Sequence, residues 1–508
     1  MVTASSLRPA QNGVNPTAKA LFDWIERQHQ TRRTGYDLAR QYYGGDHRVL
    51  LSDRLKAFLP QALHQSFRSN YCDVVADSVA ERLSVTGFLS SSEPLAEWAW
   101  EQWQRNRMDA TQGLVHTDAL ILGDSYVLVD WNAETLAPRF TYQMAEMVIP
   151  HYNEDTRKID WASKKWLWQR EIGEAPVARL NLYFPDHLEK YIASNNVWLP
   201  FQEEGDTEWP LPWTDARGQP LGVPLVHFRN KALGQDFGES EINDVIPLQD
   251  LLNKTLVDLV QILDTQAFGQ RWTMNVAHGA SVLDVVPGSV WDLHSEEENA
   301  AVGEFLAAQV DGPIRTIEML VQHIASTSRT PQYLFQIGGG MPSGEALKTS
   351  ETGLVHKVKN RQIAFGNAWE DAMLLAMRIQ AAFGAPVSGA EDAIIEAQWA
   401  DPETRNEEMV IQGLAVKRSQ LGVPRKQIWR EAGYTVEEID QMEADLEEEK
   451  RQDSNIGAEL LKAFSRGEGE GIGERIVEPR IGRPRKVVKH VERDAGGRIS
   501  RVTEEEAE

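Results

Sequence analysis

Residues 240–265 read SEINDVIPLQDLLNKTLVDLVQILDT. Ile242, Val245, Leu248, Leu252, Leu256, Leu259 and Leu263 step by three or four, so a helix there carries one apolar stripe about six turns long. Asn253, Asp258 and Gln261 are expected off that stripe. Pro247 lacks an amide hydrogen and is costly inside a helix but tolerated in its first turn, so the helix is expected to start near Asp244 or to bend there.

On the C-terminal side the period changes. Arg271–Val276 and Ser281–Val285 read as short strands around Gly279 and the Pro287-Gly288 turn, and a second helix is expected from about Gly312 to Ser328. A loop rich in Gly and Gln follows from Thr330 to Ser343. Residues 344–383 then hold no proline and predict a helix of about 50–60 Å at 1.5 Å per residue. Gly353 and Gly366 each cost about 1 kcal/mol relative to Ala, and a bend is expected at one of them.

On the N-terminal side, Ala18–Gln28, Tyr36–Tyr43, Asn70–Leu83 and Leu95–Trp103 read as helices. Ser125–Val129, Met147–Pro150, Trp166–Trp168, Leu180–Phe184 and Val197–Phe201 are β-favouring runs broken by Pro, Gly, Asn and Asp, which predicts a mixed sheet between Ser125 and Asn230. Beyond a hinge at Gly384–Gly389 lies a small helical unit, Asp401–Glu449, with eight acids and no base between Val436 and Glu449. The tail has one aromatic, Phe464, and dense mixed charge, so it is expected to stay disordered. The fold class is α+β.

A chain of 508 residues exceeds what one core organises. With 52 basic and 76 acidic side chains the formal charge is −24, which repels a phosphate backbone. No apolar run of about 18 residues exists, and Met1–Pro16 lacks a basic flank and an apolar stretch, so neither secretion nor membrane spanning is expected. Cys72 is the one cysteine and reads as a small buried hydrophobe.

Catalytic patterns are weak. Gly339 and Gly344 have the spacing of a phosphate-cradling loop, but Glu345 stands where such a loop needs a lysine; a flexible loop with Ser343 as N-cap explains the stretch better. Twelve histidines include no HExxH, and no paired cysteine ligands or GxSxG elbow occur, so neither a metal, a cofactor nor an enzymatic activity is expected. Arg475–Arg493 carries seven bases and two acids; Arg483, Arg485 and Lys486 are its candidate DNA contacts.

Several segments together resemble the portal protein family of tailed bacteriophages. They are Tyr42-Tyr43-Gly44-Gly45, Asn70–Asp77 leading to Glu81–Phe88, Ala119–Val129, Pro224–Asn230, Gly238–Ile242 running into Leu248–Thr255, Phe268–Trp272, Thr330-Pro331 and Ser343–Leu347. Their order spans roughly residues 35 to 450.

The resemblance implies a non-catalytic ring, usually of twelve subunits, at one capsid vertex. It would conduct double-stranded DNA during packaging and ejection and contact the terminase large subunit, head-completion or adaptor proteins, and major capsid and scaffolding proteins. It implies a virion protein assembled in the host cytoplasm, with no membrane involvement. Mapped onto the chain, it implies a wing (1–237), a stem helix (238–265), a clip (266–309), a second stem helix (310–329), a tunnel loop (330–344), a long kinked wing helix (345–385), a helical crown (386–452) and a charged tail (453–508).

Ile242, Val245, Leu252, Leu256, Leu259 and Leu263 would then pack subunits side by side. Gln332, Gln336, Met341 and Ser343 would meet DNA without gripping it, and Trp272 and Trp291 would anchor a partner on the clip. Another structural virion adaptor without a channel is the competing expectation, and a nucleic-acid-processing enzyme a more distant one.

Overall fold

A computed structural model of the chain describes residues 16–47, 69–169, 175–194, 197–203, 208–232, 234–267, 271–274, 301–304, 310–335, 344–388, 394–403, 407–432, 434, 438–448, 450–451, 487–493 and 499–506. They divide into two compact units, Met1–Arg405 and Asn406–Glu508.

The first unit mixes helices with antiparallel sheets, in agreement with the α+β reading. Helices α1 (Pro16–Tyr43), α2 (Cys72–Ala80), α3 (Glu93–Arg105) and α4 (Met108–Leu122) precede and surround the strands. A three-stranded sheet has the order β10-β2-β3, with β2 at Asp124–Asn132, β3 at Ala137–Gln143 and β10 at Leu225–Arg229. A six-stranded sheet follows the path β4-β5-β6-β7-β8, with β9 on β7. Its strands are β4 (Val148–Tyr152), β5 (Ile159–Trp168), β6 (Val177–Tyr183), β7 (His187–Ser194), β8 (Val197–Pro200) and β9 (Leu211–Pro212).

Three further helices complete it: α5 (Ile246–Ala267), α6 (Asp311–Ser328) and the 40-residue α7 (Gly344–Phe383). Gly353 and Gly366, where a bend was expected, lie inside one uninterrupted helix. A Cβ at Gly366 would stand 3.2 Å from the Trp399 indole nitrogen, so this glycine makes room for a neighbouring strand.

That strand, Ile395–Trp399 (β13), pairs antiparallel with Val85–Ser90 (β1) and belongs to the first unit; the helices of the second unit follow it in sequence. There the described residues form α8 (Glu407–Leu421), α9 (Arg425–Glu431) and a helical stretch at 438–448. The tail also departs from the expected disorder. Val487–Arg493 (β14) and Ile499–Glu506 (β15) pair as an antiparallel hairpin, and β-branched Val487, Val488, Val491, Ile499 and Val502 explain why these stretches favour strand.

The largest apolar cluster of the first unit centres on Trp369 of α7. Its ring lies 4.8 Å from Trp103 and 4.5 Å from Phe228, both edge-on. Its indole N–H donates to His116 Nε2 at 2.9 Å, and His116 Nδ1 donates to the Leu83 carbonyl at 3.1 Å, so both ring nitrogens are satisfied only in the neutral form.

Burial pushes His116 and His29 down to about 4 and His151 to about 3. The unfolded chain binds these protons near pH 6.5, so the folded state is fully favoured above that value and loses stability as pH falls toward 4. For His116 the loss amounts to roughly 3 kcal/mol. The thermal unfolding midpoint is expected to fall steeply between pH 6.5 and 4.5; a midpoint unchanged over that interval contradicts the assignment.

Candidate functional site

Helices α5 and α6 form an antiparallel pair, and between them lies the hairpin of β11 (Arg271–Met274) and β12 (Ala301–Glu304). The Ser281–Val285 strand lies outside the described residues. Helix α5 begins at Ile246, which leaves Pro247 in the first turn, where its missing N–H costs nothing.

The apolar stripe of α5 divides in two. Ile242, Val245 and Leu252 are 0% exposed and belong to one cluster with Leu320 and Ile324 of α6 and with Tyr126. The expectation that these three pack against a neighbouring copy is therefore corrected: they have no surface left to offer. Leu256 is partly buried against the same cluster, Leu259 is half-buried and Leu263 is 47% exposed. Leu251 of α5 and Ile314 and Met319 of α6 are exposed as well.

Asn253, expected off the apolar stripe, is itself buried. Gln249 and Asn253, one turn apart, clasp the backbone ahead of α2. The Tyr71 amide donates to Gln249 Oε1 at 2.9 Å, Gln249 Nε2 donates to the Ser69 carbonyl at 2.6 Å, and the Ser69 amide donates to Asn253 Oδ1 at 2.9 Å. Asn253 Nδ2 donates to His47 Nδ1 at 2.9 Å, leaving His47 Nε2 to donate to the Tyr42 carbonyl at 2.8 Å. Asn253→Leu is expected to orphan the Ser69 amide and the His47 acceptor and cost about 2–3 kcal/mol, read as a lower unfolding midpoint. An unchanged midpoint would show the clasp to be dispensable.

Two buried carboxylates join the segment leading into α5 to the rest of the unit. Asp124, at the start of β2, accepts four hydrogen bonds: from Arg32 (2.8 Å), the Tyr36 hydroxyl (2.7 Å), His227 Nε2 (2.8 Å) and the Gly238 amide (2.7 Å). The Tyr152 hydroxyl donates to His227 Nδ1 at 2.7 Å, so Nε2 carries the hydrogen given to Asp124. Burial alone would raise the Asp124 carboxyl; the His227 hydrogen bond, the Arg32 charge and the Gly238 amide outweigh it and hold the group below the usual carboxylate range.

Gly123, with φ +92°, makes this junction possible, since a Cβ there would stand 2.7 Å from the Gly238 carbonyl oxygen. The Asn230 amide donates to the Gly123 carbonyl and the Glu241 amide to the Leu120 carbonyl, both at 2.8 Å.

Glu241 is the second carboxylate, 3% exposed. Lys357 of α7 approaches it at 2.9 Å, Arg361 of α7 at 3.1 Å and Lys231 at 3.3 Å, and Asn230 Nδ2 donates at 3.2 Å. Lys357 also donates to the Ser328 carbonyl at the end of α6, at 2.7 Å. Burial alone would raise the Glu241 carboxyl, but the charges of Lys357, Lys231 and Arg361 bring it down to about 2. One carboxylate thus ties α7 to the beginning of α5, and through Lys357 to the end of α6.

The loop after α6 opens with a 3-10 turn, Gln332–Phe335. Gln332 is exposed; the Tyr333 hydroxyl donates to Glu351 of α7, which also meets Arg82 at 3.3 Å, and Phe335 packs edge-on to Tyr71 at 5.5 Å. Gln336, Met341 and Ser343 lie outside the described residues. Trp272 pairs across β11 and β12 with Gly303, where an added Cβ would collide with the indole ring, and it is 38% exposed. Met274, two residues on, is 51% exposed on the same face. Trp291, Arg483, Arg485 and Lys486 lie outside the described residues.

The sequence reading singled out none of Asp124, His227, Glu241, Lys357 or Arg361 as site residues. Asp124, His227 and Glu241 all fall within the quoted segments Ala119–Val129, Pro224–Asn230 and Gly238–Ile242; for Asp124 and His227 a polar side chain among apolar neighbours was the available signal, whereas Glu241 in GESEI carried none.

The chain matches the family described as "Phage portal protein, SPP1 Gp6-like" over residues 23–452. Among curated proteins it is 26% identical over 405 residues to the portal protein of Mycobacterium phage D29, covering 75% of this chain and 79% of that one. It is 25% identical over 435 residues to the portal protein of Mycobacterium phage L5, covering 80% and 84%.

Proposed function

Because the chain belongs to the SPP1 Gp6-like phage portal protein family, we propose that it forms a ring of identical subunits, twelve in number, at one capsid vertex. The ring conducts double-stranded DNA during packaging and ejection and docks the terminase large subunit and head-completion proteins. It is a structural component of the virion, assembled in the host cytoplasm, and it catalyses nothing itself. The observation that carries this reading is the extent of the family match, which includes the helix pair, the strands between them, the loop before α7 and helices α8 and α9 of the second unit.

The parts take the following roles. Helices α5 and α6 form the stem, the β11–β12 region the clip with Trp272 toward a partner, and residues 330–344 the tunnel loop with Gln332 toward the duplex. Residues Leu256, Leu259 and Leu263, together with exposed Leu251, Ile314 and Met319, supply the side-by-side surface. Twelve copies carry roughly −290 formal charges, which keeps the duplex from adhering to its conduit. Arg483, Arg485 and Lys486 supply a local exception where phosphate is touched.

Leu263→Glu places a charge in the proposed subunit boundary. It is expected to shift purified chain from rings toward smaller species in native mass measurement while leaving the thermal midpoint of the subunit unchanged, because the side chain is exposed within one chain. Rings unaffected by Leu263→Glu would remove this residue from the interface. A phage lacking the chain is expected to yield shells without DNA, and normal filling in its absence would refute the conduit role.

A further inference from the structure

One face of the six-stranded sheet is covered: Leu180, Leu182 and Tyr191 pack with Phe22 and Ile25 of α1. Strand register puts a different set on the other face. Lys164 stands opposite Asn181, Trp166 opposite Arg179 and Trp168 opposite Val177; Lys190 and Ile192 continue the rows, and Leu199 lies opposite Ile192. At one end of this face Ala162 and Tyr183 are buried in a core cluster, whereas the side chains just named belong to none of the three apolar clusters of the described residues.

Arg179 sits at the centre of this face. Its guanidinium lies 4.3 Å from the Phe201 ring, 5.1 Å from Trp166 and 5.3 Å from Trp168. It pairs with Glu203 at 2.7 Å, and the same carboxylate takes Lys190 at 2.9 Å. The Arg179 side chain is 6% exposed, yet its Nε has no hydrogen-bond partner, and neither has Asn181 Oδ1. Unmet polar groups of this kind are costly, and the described residues supply no acceptor for that N–H.

Lys164 lies 4.7 Å over the Trp166 ring and has no carboxylate within ion-pair distance among the described residues. Burial and the neighbouring Arg179 charge lower its amine, against the opposing Asp130 charge. Among the described residues, Arg179 and Lys190 thus share Glu203, while Lys164 has no acid in an ion pair. At its edge Leu199 and Val197 are 44% and 36% exposed.

We propose that this face docks an acidic segment of another virion protein, a carboxylate settling beside Lys164 and apolar side chains lying over Trp166, Trp168 and Leu199. The unpaired Lys164 amine and the unmet Arg179 N–H select an acidic partner. The exposed aliphatic edge and the strongly acidic chain favour a peptide over a nucleic acid. That the partner belongs to the virion rests on the portal reading; the character of the surface does not.

The test is amine acetylation of Lys164, read by mass spectrometry on the free full-length chain and on assembled capsids, with zero-length carbodiimide cross-linking of the capsids. Lys164 is expected to be labelled in the free chain, to lose that labelling in capsids, and to be joined to an Asp or Glu of a different capsid protein. Lys164→Glu is expected to abolish the protection at this face, read by labelling of Lys190, without lowering the thermal midpoint. Equal labelling in both states, a cross-link only to a second copy of this chain, or protection that nuclease removes would overturn the proposal. Chain present in capsids with Lys164 unprotected defeats the docking alone; chain absent from capsids defeats the portal reading with it.

Discussion

Glu241→Leu is expected to destabilise the first unit by about 3–5 kcal/mol, because it leaves Lys357 and Arg361 buried without their carboxylate. Lys357 would keep only the Ser328 carbonyl. The double variant Glu241→Leu with Lys357→Met removes both buried charges of the closest pair and is expected to recover much of that loss, since an apolar pair can replace a buried ion pair at little cost. Urea unfolding followed by tryptophan fluorescence checks this, as Trp369 and Trp103 lie in the same unit. Equal stability of Glu241→Leu and the parent would contradict it.

The same carboxylate has a pH signature separate from that of the histidines. Its folded value of about 2 lies below the ordinary 4.5, so its contribution is complete above pH 4.5 and is lost as pH falls toward 2. The histidine window therefore opens first on acidification, and Glu241→Leu is expected to leave the change between pH 6.5 and 4.5 intact.

Asp124→Ala is the second large effect, again about 3–5 kcal/mol. Four donors converge on this carboxylate from α1, β10 and the segment ahead of α5; His227 is buried and loses its acceptor with it, while Arg32, 24% exposed, can still reach water. Asp124→Asn keeps the shape but replaces one accepting oxygen with a donor, which then faces two donors, so it is expected to recover little. Hydrogen exchange should report local opening at residues 234–245 in both variants. Unchanged protection there would mean that Asp124 does not hold the start of α5.

The periodicity of 240–265 made the long helix legible, and Pro247 marked its start within a few residues. What periodicity could not show was which surface buries the stripe. Ile242, Val245 and Leu252 have the spacing of an inter-subunit seam and equally that of a helix packed on its own α6; only the position of Leu320 and Ile324 decides between them. Asn253 was read only as lying off the stripe; that its amide meets the Ser69 backbone and the His47 ring, about two hundred residues earlier, has no local signal.

The candidate site was legible as segments and illegible as a site. Ala119–Val129, Pro224–Asn230 and Gly238–Ile242 were picked out separately, and their meeting depends on β10 pairing with β2 and on the Gly123–Gly238 approach, both long-range. Strands β1 and β13 illustrate the same limit. Their partners are more than three hundred residues apart, so neither gains a local hairpin signal. The β14–β15 hairpin had the opposite problem: its local signal was present, and the surrounding charge density outweighed it.

The assembled state of the purified full-length chain tests the whole account most directly. Electron microscopy is expected to show closed rings around a central opening, with Leu263 near the boundary between neighbouring subunits. Particles that stay monomeric under varied conditions, or an assembly with no hole along its axis, would contradict it.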